Sequence, residues 1–201
     1  MLPFRQRGQL VVQPTYKLFV SGGRAPVTIV AEDREDIQVL LTALSFGRMP
    51  KETRLIRVNG ERLIIEGDSP RWGGPVMGIT IRVPVGFDKL LEVHTRGMIT
   101  AIGPVRNMSL TAGRSIEVEE ITSASSANLS TYRAGSSVKV GKTSGELRVH
   151  TPGGRVRITA DDPRLLRIDS WGGAVRLCGT WKEQAVKFGS NCGEKTLRNS
   201  A

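Results

Sequence analysis

One short phrase recurs six times between Leu91 and Arg198. It appears as Leu91-Glu-Val93-His-Thr95, Met108-Ser-Leu110-Thr-Ala112, Asn128-Leu129-Ser-Thr131, Leu147-Arg-Val149-His-Thr151, Leu166-Arg-Ile168-Asp-Ser170 and Val186-Lys-Phe188-Gly-Ser190. A glycine follows each: Gly97, Gly113, Gly135, Gly154, Gly173 and Gly193. The central apolar residues, Val93, Leu110, Leu129, Val149, Ile168 and Phe188, are 17 to 20 residues apart. A unit of that length cannot bury its own apolar face, whereas a stack of such units can. The spacing predicts an all-β, single-domain β-solenoid of 17–20 residues per coil, sandwich-like toward the N-terminus.

A second alternating pair lies inside each full unit: Ile116 and Val118, Val138 and Val140, Val156 and Ile158, Val175 and Leu177. Period-2 patterning of this kind marks strands with one buried face. Thr95, Thr131, Thr151, Ser170 and Ser190 share one repeat position, with Ala112 the exception. Small hydroxyl residues before a turn bond the backbone there, so a stacked structural ladder is expected rather than a row of nucleophiles.

Upstream the pattern is less regular. Residues 1–15 read as a flexible lead-in or a cap over the first coil, and 16–201 as the repeat domain, with irregular coils and hairpins over 16–90 and regular repeats over 91–198. Leu18 and Val20, then Val27 and Ile29, alternate on either side of Ser21-Gly22-Gly23. Ile37, Val39 and Leu41 predict a third strand; 40–49 also fits a short helical stripe, with strand plus loop preferred. Asn59-Gly60 between alternating apolar residues is a type I′ hairpin signal over 56–65. Residues 68–78 read as a loop, with Trp72 lying on the end of the core rather than binding. Pro84 ends the next strand.

The 201 residues carry a net charge of +10, and the excess is late: from Arg133 onward there are 13 basic and 6 acidic residues. No stretch approaches the ~18 apolar residues of a membrane span, and the start shows no secretory leader, so the chain as written reads as cytoplasmic. Cys178 and Cys192 occupy non-equivalent repeat positions and read as two free thiols, a disulfide between the last coils being the alternative.

The string Ile79-Thr-Ile81-Arg-Val83-Pro84-Val-Gly86 followed by the glycine-turn repeats resembles the bacterial adhesin-like β-strand-repeat family. So do Leu63-Ile-Ile65-Glu-Gly67-Asp68, and Leu18-Phe-Val20 with Val27-Thr-Ile29. The resemblance runs from about Tyr16 to Leu197. It implies a right-handed β-helix-like fold and no defined catalytic site, with envelope association for many members; it carries no functional residues over, and no cofactor is expected.

The residues themselves point the same way. His94 and His150 lie three repeats apart, about 14 Å at ~4.8 Å per coil, too far to share a metal or a proton. No His, Cys and Asp cluster has metal spacing. The glycine turns at 21–24 and 151–155 lack the Gly-Lys-Ser/Thr of a phosphate loop. Asp161-Asp162 before Pro163 is turn chemistry, and Glu117, Glu119 and Glu120 form an outward group within reach of Lys139. Outward positions of the last coils predict two ladders of positive charge, Arg148, Arg167 and Lys187 on one strand and Arg157 and Arg176 on the other. The leading expectation is a non-enzymatic scaffold or interaction module, open to self-association or end-to-end assembly. The alternative is a polyanion-binding protein using those five residues as a C-terminal basic face, toward nucleic acid, an anionic cell-wall polymer or an acidic lipid surface. A carbohydrate-active β-helix enzyme would need acids clustered on one face, and the repeat face turns basic instead.

Overall fold

The computed structural model describes residues 4–45, 56–59, 62–66 and 76–200. Its strands, in chain order, are β1 (Phe4–Val12), β2 (Lys17–Gly23), β3 (Val27–Glu32), β4 (Ile37–Ser45), β5 (Ile56–Asn59), β6 (Arg62–Glu66) and β7 (Val76–Pro84). The regular part continues with β8 (Leu91–Thr95), β9 (Ile99–Pro104), β10 (Asn107–Ala112), β11 (Ser115–Ile121), β12 (Ser126–Thr131) and β13 (Ser137–Thr143). It ends with β14 (Glu146–Thr151), β15 (Arg155–Asp161), β16 (Leu165–Ser170), β17 (Val175–Thr180), β18 (Val186–Phe188) and β19 (Lys195–Asn199).

From β8 onward the chain lays strands alternately in two sheets. Sheet 1 runs β1-β4-β7-β3-β9-β11-β13-β15-β17-β19; sheet 2 runs β5-β6-β2-β8-β10-β12-β14-β16-β18. Each coil contributes one strand to each sheet, and the inward side chains of both form one apolar core. This is a β-solenoid, flattened into two facing layers.

The predicted register holds residue by residue. Val93, Leu110, Leu129, Val149, Ile168 and Phe188 are paired in succession along sheet 2. The column extends further than the repeat does: Val20 pairs with Val93, and Ile65 with Val20. In sheet 1, Val118, Val140, Ile158 and Leu177 form the matching column. In-register stacking of aliphatic side chains removes both neighbours' apolar surface from water at once, at about 25 cal/mol per Å².

Turn glycines are needed where backbones touch. Gly173 lies against the carbonyl oxygen of Gly154, and a Cβ there would overlap it. Gly153, in the turn before, has φ +74°, which an L side chain adopts only with strain. The hydroxyl ladder is buried and bonded for four of its five members. Thr95 Oγ1 donates to the Ala25 carbonyl at 2.6 Å, Thr131 Oγ1 to Thr151 Oγ1 at 2.8 Å, and Ser170 Oγ to the Gly173 carbonyl at 2.7 Å. Ser190 departs from the expectation. It is exposed, because the strand before it, β18, is only three residues long and the ladder ends there. Phe188 is half-buried for the same reason: it has a rung on one side only.

The N-terminal part differs from the lead-in half of one expectation, flexible lead-in or cap, and adds a rung order that the spacing does not give. Phe4–Val12 is strand, not an irregular lead-in, and pairs antiparallel with β4 over nine positions. The β2–β3 rung sits between β6–β7 and β8–β9 although it comes first in the chain. The link 85–90 therefore passes over it, held by the buried Phe87. The hairpin β5–β6 forms as expected. Its Gly60 turn residue, and Trp72 with most of the expected loop, lie outside the described residues.

Candidate functional site

The five basic residues that the repeat singles out fall on two faces. Arg148, Arg167 and Lys187 are consecutive partners along sheet 2. Arg157 and Arg176 are consecutive partners along sheet 1, in line with Lys139 before them and Thr196 after. All five are exposed. Since the sheets face each other across the core, their outer surfaces point in opposite directions, and the two ladders do not make one basic face.

Both faces also carry acids. Arg148 pairs with Glu146 at 2.8 Å, and the next outward column on sheet 2 holds His150 beside Asp169 at 3.5 Å. On sheet 1, Lys139 lies 3.9 Å from Glu117, as the sequence suggests, and Lys142 lies 3.0 Å from Asp161. The Asp161 carboxylate accepts a hydrogen bond from Lys142 and raises that ammonium above its usual value. Exposed pairs of this kind contribute about 0–1 kcal/mol each.

The histidines share one column, with Thr111 and Ser130 between them. His94 bonds Glu92 at 2.9 Å and its ring lies 5.7 Å from that of Phe19. Among the described residues no three His, Cys, Asp or Glu side chains gather as a metal site. Asp162 has φ 46° and faces Lys182 at 3.5 Å, so the Asp-Asp-Pro segment is turn chemistry. Cys178 and Cys192 are free thiols. Cys192 Sγ accepts the Ser170 amide N–H at 3.4 Å, beside the end of the hydroxyl ladder. Trp181 is buried at the end of the core, whereas Tyr132 and Trp171 are exposed at turns.

The turns leading from sheet 2 to sheet 1 hold a group of residues that no repeat alignment collects. Arg24, Arg96, Arg114, Arg133 and Arg155 are all exposed there. They occupy different offsets: Arg96 directly follows Thr95, while Arg155 comes four residues after Thr151. Sequence spacing scatters them; stacking of the turns brings one to each rung along the same side of the stack.

Fold and surface together define a β-solenoid whose described surface consists of edges, faces and rows of turns. Solved structures of similar fold include a candidate cell adhesion protein from Clostridium sporogenes, with TM-score 0.43 and 9% identity, covering 98% of this chain and 100% of that one. A candidate adhesin from Bacteroides fragilis has TM-score 0.46 and 14% identity, covering 98% and 97%. Another from Parabacteroides merdae has TM-score 0.42 and 10% identity, covering 98% and 96%. No family model matches the chain, and no curated protein does. Among the described residues, no helix is long and apolar enough to cross a membrane.

Proposed function

We propose that the chain is a non-enzymatic scaffold: a stiff β-solenoid whose outward side chains and turns form an interaction surface. The observation that carries this reading is a division within single strands. The central inward column of sheet 2 stays aliphatic from Ile65 to Ile168, while the outward column beside it runs Phe19, Glu92, Ser109, Asn128, Arg148, Arg167 and Lys187. The core fixes the rungs, and the outside is left free to vary in chemistry.

The test replaces Ser109, Asn128, Arg148 and Arg167 together by threonine. A midpoint of thermal unfolding within a few degrees of the parent and unchanged amide protection in the core strands are expected. A loss as large as that from a core truncation would show that the outward face is part of the fold, not a display surface. Turnover of any polymeric substrate by the purified chain, abolished by a single side-chain substitution, would replace the scaffold with an enzyme.

The same reading covers end-to-end stacking. β18 and β19 are the outermost described strands at their end, and strand edges pair with other strands unless covered. Light scattering is expected to show mass rising with concentration, suppressed by Leu197→Glu; a constant monomer mass removes this part.

A further inference from the structure

Six successive turns join sheet 2 to sheet 1, from Arg24-Ala25-Pro26 after β2 to Trp171-Gly172-Gly173-Ala174 after β16, and none contains an Asp or Glu. Four of the arginines lie in these turns, and Arg155 begins the strand that follows one. Neighbouring turns stack directly on one another. The Arg96 and Gly113 backbones are in contact, so that a Cβ on Gly113 would lie 3.0 Å from Arg96 Cα. The Arg114 amide donates to the Gly97 carbonyl at 3.1 Å, and the Arg155 amide to the Ser136 carbonyl at 3.1 Å. Strand spacing sets about 4.8 Å between turns, so one arginine per rung recurs along the long axis, at shifting lateral positions: Arg155 pairs with Ser137, and Ser137 with Ser115 rather than with Arg114. Among the described residues none of the five has a carboxylate within ion-pair distance.

The rest of the described surface lacks this character. The opposite row of turns mixes Arg106, Asp162, Arg164, Lys182 and Glu183, and Asp162 and Lys182 pair across it. Both sheet faces carry the acid–base pairs already described. Among the described residues, no acid interrupts the arginine row's turns from β2 to β16; the first comes in the next turn of the row, where Glu194 precedes β19 and lines one recess with Arg155.

Two exposed aromatic residues stand in the same row. Tyr132 and Trp171 each begin a turn, their amides bonded to Ala112 and Thr151 of the rung before. They are two rungs apart, about 10 Å, with Pro152 between. Their exposures are 49% and 56%.

We propose that this row binds a linear, carboxylate-bearing polysaccharide laid along the solenoid axis. An arginine fork matches a carboxylate in two parallel hydrogen bonds. A single extended chain running along the axis meets one arginine per rung from Arg24 to Arg155. Duplex DNA does not, because its charges wind about an axis on two strands. Tyr132 reaches back so that its hydroxyl lies 3.5 Å from the Thr95 carbonyl, away from Trp171, whereas successive bases stack at about 3.4 Å, so the two rings make no stacking platform for a nucleic-acid strand. The same rings each offer a flat face to the apolar side of one sugar. The proposal rests on the scaffold reading in one respect: the rungs must hold the turns in file.

The experiment is calorimetric titration of the full chain with polygalacturonate at low and at high salt, with dextran and poly(dT) as comparison polymers. Binding is expected for polygalacturonate, weakening as salt rises. Arg96→Gln, Arg114→Gln and Arg133→Gln combined are expected to lose roughly tenfold or more, since exposed pairs add up modestly. Trp171→Ala is expected to lose a few-fold. The face variant Arg148→Gln with Arg167→Gln and Lys187→Gln is expected to stay within about twofold, because those residues lie on the outer face of sheet 2, off the row. Should the triple variant melt early, Arg114→Gln and Arg133→Gln are read singly. The proposal is overturned by absent polygalacturonate binding, by equal binding of dextran, by tighter binding of poly(dT), or by a face variant losing as much as the row variant. None of those results touches the melting and protection test of the scaffold, so the two readings fail separately.

Discussion

At the N-terminal end of the stack, β4 runs antiparallel to both β7 and β1, and the β5–β6 hairpin closes the other sheet. At the C-terminal end, β18 and β19 continue the parallel register of the coils before them. The two ends follow one pattern of inward positions with different results. Ile37, Val39 and Leu41 of β4 are buried, with strands on both sides. Leu197 occupies the same column as Leu177, yet it is 48% exposed while Leu177 is fully buried. Inward position is thus set by the strand period, but burial is set by having a rung above and a rung below. A repeat in sequence reports the first and says nothing of the second.

The largest test of this contrast removes residues 1–13. Losing a nine-position ladder and the packing of Leu10 and Val12 is expected to lower the unfolding midpoint by more than any of the single substitutions below, and to bare the β4 edge for association. An unchanged midpoint and mass would mean that β1 does not close the end. Next comes Ile168→Ala, in the middle of the parallel stack, expected to cost about 3 kcal/mol in denaturant unfolding, the range for aliphatic core truncation. Gly173→Ala, which forces a Cβ into the Gly154 carbonyl, is expected to cost about 2 kcal/mol. If it were neutral, the turns would not be in contact. Leu197→Ala, in an inward position but without a second neighbour, is expected to cost less than about 0.5 kcal/mol, the usual scale for surface changes. A cost near that of Ile168→Ala would erase the distinction between the ends.

The smallest effect is a matter of pH. Asp161 raises Lys142 above 10.5, so the protonated lysine is favoured in the folded chain. Whatever stability this pair contributes is complete below the ordinary lysine range and disappears as pH climbs through the raised value. Asp161→Asn is expected to remove that alkaline step by losing the pair's small contribution at neutral pH, while stability above the raised value stays as in the parent; an identical step in the variant would assign it to another group.

The same features decide how much of the fold is legible in the sequence. The column from Val93 to Phe188 is legible because every coil there spends nearly the same number of residues on its two strands and turns. Val20 and Ile65 belong to that column but spacing cannot place them in it, since their order along the axis is not their order in the chain. β1 escapes a sequence reading because Arg5, Gln6, Arg7 and Gln9 interrupt any apolar alternation, and its pairing is with β4, some thirty residues away. The two basic ladders can be found but not oriented, because spacing gives register within a sheet and not which sheet faces which way; the single shared face they suggest does not form. The arginine row is invisible for a further reason: turns of unequal length carry their charges at unequal offsets, and only their stacking in space brings them to one side.

The rung that is first in the chain and third along the axis has a consequence for synthesis. Val20 acquires a neighbour on each side only when both Ile65 and Val93 have left the ribosome. Until β8 emerges, the nascent chain offers β2 and β3 with one flank bare, the situation in which hydrophobic strands recruit chaperones or one another. After that point each new coil finds a finished template and docks as it appears. Production of this protein therefore divides into one long vulnerable interval and a series of short safe ones, and a stall before Leu91 is the costliest place for translation to pause.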